Sequence, residues 1–361
     1  MLTAAQIANQ RLFNQHLVKP TLEKASEVVA LLGAVQAQDY GSAKWGLAQR
    51  TRAATDPEIE KEIAEGAIVR THILRPTWHF VAAADISWML ALSAPRVHAA
   101  NGYWYRWLEV DDALARRSRT VLTKALRDGK QLTRAQLGQA LTKAKIQVKS
   151  PQRLACIVMR AELDGLICSG ARQGKQFTYA LLEEVVPRQR TLEREEALHE
   201  LAQRYFSTRG PATSDDFAWW SGLTKTDAKK AAESASSVLQ QQSIDGRLYW
   251  FPGPARLTKP KAPIAHLLPN YDEYFIGFKD RGAFAQRLRA AGIVARTDAL
   301  SGHILEIDGQ IVGGWGRNFR GKKAVIRLKL LQALTAAEDR AVATAASRFA
   351  DFLGMPVQIQ Q

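Results

Sequence analysis

The chain has 361 residues, 46% hydrophobic and 24% charged, enough for about two to four domains with their own cores. With that balance disorder is not the default reading, and no apolar stretch reaches the length of a membrane span. The formal net charge of +15 favours a polyanionic partner through counterion release, the other reading being a protein that is merely basic. This charge is spread along the chain rather than gathered in a tail, which points to a basic face or groove.

In chain order, the first of three similar modules is the least regular. Residues 22–35 are helical in period, and Asp56-Pro57 opens a helix that ends near Gly66. Residues 68–74 and 78–82 are strand-like, with Arg75-Pro76 between them as a wing tip. Residues 85 to about 126 are mostly helical and lead into the second module. There Thr133 and Gln136 form a capping box for a helix over about 134–143. Ser150 followed by Pro151 is an N-cap with proline at the first helical position. Leu154, Ile157, Val158 and Ala161 then recur at helical spacing, and Gly165 stands where a C-cap belongs. Residues 166–169 and 177–181 read as strands joined by a basic turn. The order is helix, turn, helix, basic wing.

The third module has a helix over 193–207 and a second over 214–221, capped by Thr213 with Asp216. Thr224 caps a third, running to about 236, and Asp245-Gly246 marks a hairpin leading to residues 248–251. From Pro252 the composition shifts to prolines and short apolar runs. Asp308-Gly309 is a strong hairpin turn, residues 316–323 form a basic hairpin tip, and a helix over about 335–353 closes the chain. The expected fold class is α+β: three tandem winged-helix modules with a C-terminal β-rich, barrel-like part. The expected partition is residues 1–128, 129–190, 191–255 and 256–361.

Catalytic templates mostly fail: there is no HExxH, Walker A, GxSxG or GxGxxG before a helix. The seven histidines do not cluster at metal spacing, and no metal or cofactor is expected. Cys156 and Cys168 fit no metal or CxxC spacing and read as reduced core thiols, which suits the cytoplasm. The start, Met1-Leu-Thr-Ala-Ala-Gln-Ile, lacks the basic and apolar regions of a signal peptide.

Two segments stand apart. In Arg70-Thr-His-Ile-Leu-Arg-Pro-Thr-Trp-His79, His72 and His79 would approach one another on paired antiparallel strands. They are either partly buried histidines bonded to backbone or part of a basic hairpin on a nucleic-acid backbone. In the second case Arg70 and Arg75 are the phosphate partners. Trp78 reads as core rather than as a stacking platform. In Leu32-Gly-Ala-Val-Gln-Ala-Gln-Asp-Tyr40, Gln36 and Gln38 bracket one small residue. On an ideal helix they point nearly opposite ways. They are a solvated helix end, or else a non-helical turn, permitted by Gly33 and Gly41, makes them act together.

The chain resembles the winged-helix DNA glycosylases of the AlkZ/YcaQ type, which remove alkylated bases and unhook interstrand crosslinks. The resemblance rests on Leu32-Gly-Ala-Val-Gln-Ala-Gln-Asp39, Thr71-His-Ile-Leu-Arg-Pro-Thr-Trp-His-Phe80, Gly210-Pro-Ala-Thr-Ser-Asp-Asp-Phe-Ala-Trp-Trp220, Leu268-Pro-Asn-Tyr-Asp-Glu-Tyr274 and Val312-Gly-Gly-Trp315. These span nearly the whole chain in family order. The family motif is glutamine, hydrophobic residue, glutamine; Gln36, Ala37 and Gln38 match it, with alanine a small choice for the middle. Some relatives carry aspartate in place of the second glutamine, so this chain is similar to the crosslink-unhooking branch.

The resemblance implies a C-shaped arrangement of the modules around DNA. It implies catalysis by Gln36 and Gln38, and DNA contact by the hairpin with Arg317, Arg320, Lys322 and Lys323, otherwise a solvated charged loop. Arg70, His72, Arg75 and His79 complete the expected DNA-binding set. The expected partner is double-stranded DNA with alkylated bases or crosslinks, met by a monomer, with no membrane. Asp39 either helps stabilise a sugar cation or caps the following turn; Asp272 and Glu273 are an acidic pair read as structural. The competing reading is a non-catalytic winged-helix transcriptional regulator, which predicts one preferred sequence. A third is a binder of distorted DNA that releases no base.

Overall fold

A computed structural model of the chain describes residues 2–188, 190–253, 261–292 and 302–360. The chain divides into two compact units. One comprises Met1–Ile59, His199–Trp220 and Thr224–Gln361; the other comprises Glu60–Leu198 and Ser221–Leu223. Both mix helix and strand, in line with the expected α+β class. No helix among the described residues is long and apolar enough to cross a membrane.

The second unit opens with a hairpin, strands Ile68–Ile73 and Arg75–Ala82. Leu74 makes the turn with φ 61, so Arg75 pairs back onto Ile73 instead of sitting at an open wing tip. His72 lies opposite Trp78 and Thr71 opposite His79. The period-2 alternation therefore sends the two histidines to opposite faces, which corrects the expectation that they approach one another. Helices Ile86–Ala100, Gly102–Trp107 and Asp112–Leu126 follow.

Helix Arg134–Lys143 starts at Thr133, whose hydroxyl accepts from Gln136 N while the Gln136 side chain accepts from Thr133 N. Helix Pro151–Leu163 starts at Ser150, whose hydroxyl accepts from Arg153 N. Its apolar stripe, with Ile157 and Val158, closes a core with Leu122, Leu126, Leu137, Leu141 and Leu181. Strands Leu132–Thr133, Thr178–Leu181 and Ile167–Ser169 form a three-stranded sheet in that spatial order.

The first unit is discontinuous in sequence. Helix Ala4–Asn14 carries a capping box from Thr3 and Gln6. Helix Ala25–Leu32 ends at Gly33, whose φ of 80 no L side chain adopts easily, and the chain turns into the short strand Ala34–Gln36. Residues 22–35 are thus not one helix, because the left-handed glycine stops it. Helix Tyr40–Ala48 comes next. Helices Ser214–Ser221 and Lys225–Ser234 and the hairpin of Gln240–Ile244 with Arg247–Phe251 form a third helix-and-hairpin group. Tyr205, Phe206, Phe217 and Trp220 pack here with ring centroids 5.0–6.4 Å apart.

The C-terminal part is an open five-stranded sheet, a correction to the barrel-like expectation. Its order is Val357–Gln360, Lys323–Leu330, Gln310–Arg320, Ile304–Ile307 and Ala265–Leu268. The two edge strands have only four residues each and lie at opposite ends of the order. Five strands with such short edges do not curl far enough to close. Helix Ala336–Leu353 takes the covering role instead. Its Phe349 and Phe352 lie 5.0 and 5.3 Å from Trp45, and Phe349 lies 5.5 Å from Trp315.

Candidate active site

Gln36 is the last residue of strand Ala34–Gln36, and Gln38 precedes the helix Tyr40–Ala48. The two sit on a strand-to-helix junction, not on a helix end. Gln36 is 9% exposed, whereas the Gln38 side chain is exposed. One glutamine is thus enclosed and the other is open to solvent.

The junction is fixed from behind by two buried ion pairs. Gln36 N donates to Glu273 Oε1 at 2.9 Å. Glu273 Oε2 accepts from Arg209 Nη2 at 2.6 Å and from Trp220 Nε1 at 2.9 Å. Arg209 also donates to the carbonyls of Leu32 and Ala34, at 2.9 and 3.2 Å, so the backbone from the helix end into the strand is held at residues 32, 34 and 36. Its guanidinium lies 4.4 Å from the Trp220 ring. Both side chains of the pair are essentially unexposed, 0% and 1%. With three donors on the carboxylate and both guanidinium Nη atoms bonded, the charge-assisted pair is a rigid support for the strand.

The neighbouring Asp272 does the same for the helix that follows the motif. Its carboxylate takes a bidentate pair from Arg50 at 2.8 and 2.9 Å, and Arg50 donates to Gly46 O and to Gln15 Oε1. A Cβ at Gly46 would stand 3.2 Å from Asp272 Oδ2 and 3.4 Å from Pro269 Cγ, so glycine lets the helix dock closely. Trp45 Nε1 donates to Leu267 O at 2.7 Å. The acidic pair is therefore structural, as the sequence suggested, but its two members hold different elements. Sequence reasoning missed Arg50 and Arg209 altogether. The one available signal was two adjacent carboxylates directly before the apolar run Tyr274-Phe-Ile-Gly-Phe278, where buried charges are tolerated when paired.

A polar cluster surrounds the start of the helix Tyr40–Ala48. Asp39 is its N-cap and accepts from Ser42 N at 3.1 Å. Burial pushes the Asp39 carboxyl up. Hydrogen bonds from Ser42, the Arg317 charge and a hydrogen bond from Asn270 outweigh that and hold it below the usual carboxylate range. Of the alternatives for Asp39, the cap is the one its contacts describe. Arg317 Nη2 donates to Ser42 Oγ at 2.9 Å. Burial lowers its own affinity for the proton, opposed by Asp39 and Asp56. His303 Nδ1 accepts from Asn270 N at 2.9 Å, which leaves the ring proton on Nε2. Burial, helped by the Arg317 charge, pushes His303 down to about 4, so the ring is neutral near pH 7.

The expected DNA contacts divide sharply. Arg320, Lys322 and Lys323 are exposed at the hairpin end, with Phe319 56% exposed beside them. Arg317 does not belong with them. It shares a face of its strand with Trp315, three residues below Arg320, and is partly buried. In the other unit, Arg70, His72 and His79 are buried at 4%, 6% and 0% exposure. The Arg70 guanidinium lies 4.6 Å from both the Trp78 and Phe177 rings, and His72 Nδ1 bonds Glu162 at 2.6 Å. These three therefore have no surface from which to meet a phosphate; they organise the unit's interior, with Trp78 half-buried among them. Arg75 is partly exposed. Among the described residues, no group of three or more His, Cys, Asp or Glu side chains is placed to hold a metal ion.

The family model of the AlkZ-like DNA glycosylases matches residues 29–352. The chain belongs to this family. It is an enzyme of the DNA glycosylase class, and DNA is the polyanion that its charge anticipates. It is 26% identical over 328 residues to the interstrand DNA cross-link repair glycosylase of Streptomyces sahachiroi, covering 86% of each chain. Its fold is similar to the solved structure of Streptomyces sahachiroi DNA glycosylase AlkZ, with a TM-score of 0.79 at 24% identity. That match covers 99% of this chain and 100% of the other.

Proposed function

We propose that this protein is a monofunctional glycosylase that hydrolyses the N-glycosidic bond of cationic N7- and N3-alkylpurines. Gln36 and Gln38 place the attacking water. The observation that carries this reading is the junction itself: a buried Gln36 whose backbone is tied to Glu273, followed two residues later by an exposed Gln38. An alkylated purine of this kind already carries positive charge and leaves without protonation, so no strong general acid is required. What remains is to orient a water at C1′ and tolerate an oxocarbenium-like sugar. An amide carbonyl accepts from that water while its NH₂ donates elsewhere, which two glutamines do without adding charge.

The repeated helix-and-hairpin groups serve as winged helices that cradle a duplex, with Arg320, Lys322 and Lys323 on its backbone. Lesions too bulky or tethered for a closed flipping pocket then fall within range, and unhooking of interstrand crosslinks is part of the proposal. The Streptomyces sahachiroi relative is named as an interstrand DNA cross-link repair glycosylase, which supports this part of the reading. The chain acts as a monomer. Membership in a glycosylase family disfavours the transcriptional regulator. The test is release of 7-methylguanine from methylated duplex DNA, with uracil-containing DNA as the control. Gln38→Ala is expected to lower the rate by roughly 10²–10³-fold. No release by the wild type, or a Gln38→Ala variant that matches it, overturns the reading.

A further inference from the structure

Arg317 is the cation that the hairpin does not show to solvent. Strand Gln310–Arg320 alternates, so Trp315, Arg317 and Phe319 share one face. Trp315 is buried against Phe349, and Phe319 is exposed at the end of the hairpin beside Arg320, Lys322 and Lys323. Arg317 stands between these two levels, with its Cζ 6.0 Å from the Trp315 and Phe349 rings. Its Nη2 donates to Ser42 Oγ at 2.9 Å, and its charge acts on Asp39. Asp39 and Ser42 are the N-cap and third residue of the helix Tyr40–Ala48, and Gln38 is the residue before the cap. Its Nη1 is buried and makes no hydrogen bond among the described residues.

We propose that Arg317 is a positioning residue: from the DNA-facing hairpin it grips the first turn of helix Tyr40–Ala48 and so sets where the Gln38 amide stands. The hairpin end and the catalytic junction are then one mechanical piece. Duplex DNA pressing on Arg320, Lys322 and Lys323 bears on a strand whose inner face ends, three residues away, on the turn that carries the motif. Asp39 and Ser42 are the two handles. Asp39 keeps the turn capped with help from Asn270, and Ser42 offers the hydroxyl that Arg317 holds. A well-oriented water loses its advantage when its support shifts by about 1 Å, so loosening this grip acts on the chemical step rather than on DNA affinity. The inference rests on the glutamine reading of the active site.

Single-turnover base release from a 7-methylguanine duplex separates the two effects, since it yields a saturating rate and a half-saturation concentration. Arg317→Met is expected to lower the saturating rate by roughly tenfold or more, with half-saturation within about threefold of wild type. Arg317→Lys recovers part of the rate, because a cation remains within reach of Ser42. Ser42→Ala lowers the rate in the same direction, and the Arg317→Met/Ser42→Ala double variant is no slower than Arg317→Met alone, as expected for one shared interaction. Lys322→Ala/Lys323→Ala raises half-saturation instead. Should Arg317→Met fail to fold, Ser42→Ala and Arg317→Lys carry the test. An unchanged saturating rate overturns the inference, as does an effect confined to half-saturation, which would make Arg317 an ordinary backbone contact. A wild type that releases no base removes the glutamine reading and this inference together. An active wild type with indifferent Arg317 variants removes only this inference.

Discussion

Replacing Glu273 with glutamine removes one charge from a site where both partners are essentially unexposed. The size of the effect follows from the hydrogen bonds. Three donors converge on the carboxylate: Gln36 N on Oε1, and Arg209 Nη2 and Trp220 Nε1 on Oε2. A glutamine offers one oxygen. Turned towards Arg209 and Trp220, it presents its NH₂ to the Gln36 N–H and orphans a buried backbone donor, at about 1–3 kcal/mol. Turned the other way, it faces two donors with a donor. In either orientation Arg209 keeps a buried charge with no counter-ion, and breaking such a pair costs about 3–5 kcal/mol. For a domain of this size each kcal/mol moves the midpoint by about 2–4 °C, so Glu273→Gln should melt roughly 6–20 °C below wild type. Scanning calorimetry measures it, with the exposed Glu195→Gln as a control. Base release at a temperature where both proteins are folded should also fall, because the orphaned donor belongs to Gln36 itself. Removing both partners, Arg209→Leu with Glu273→Leu, should recover part of the stability. A Glu273→Gln protein that melts within about 2 °C of wild type would refute the account of the pair as support for the motif.

Three further outcomes are expected. Alanine at Arg320, Lys322 and Lys323 together should lower the slope of log affinity against log salt by roughly 2–3, which anisotropy titrations at several salt concentrations measure; an unchanged slope removes the hairpin end from the interface. His303 is depressed from 6.5 to about 4, so between those values the unfolded chain binds the proton and the folded chain does not. Its contribution is therefore intact above pH 6.5 and is lost as pH falls towards 4; the melting temperature should drop over that window, and His303→Gln should flatten the drop. Burial raises the Cys156 and Cys168 thiols to about 11 and 12, so both should resist a disulfide reagent at pH 8 and react only in denaturant; reaction in the native protein would contradict their burial.

Local chemistry was readable where it acts within a few residues. The Thr133, Ser150 and Thr224 caps placed three helices, and Asp245-Gly246 and Asp308-Gly309 placed two hairpin turns with positive φ at all four residues. The strand Ala34–Gln36 was hidden because three residues have no period, and only the φ of Gly33 separates them from the helix before. The edge strands Ala265–Leu268 and Val357–Gln360 are similarly short, and the second pairs in parallel through a helix, which no neighbouring residue announces. Of the site, Gln36 and Gln38 were visible as a motif, but their supports were not: Arg50 lies 222 residues from Asp272, and Arg209 lies 64 from Glu273. For the same reason the burial of Arg70 and His72 was opaque, since their partners Phe177 and Glu162 lie in another module.

The adjacent carboxylates Asp272 and Glu273 also set a timetable. Each binds an arginine from a different earlier stretch of the chain, and one of them binds the backbone of Gln36. As the polypeptide leaves the ribosome, Gln36 emerges long before the residue that fixes it. Residues 60–198, nearly all of the second unit, can gather their contacts as soon as they are made, whereas the first unit must wait for its distant third segment. The glutamine junction is thus among the last places to settle. On the proposed glutamine mechanism, a nascent chain whose basic residues already meet nucleic acid is not yet able to cut a glycosidic bond.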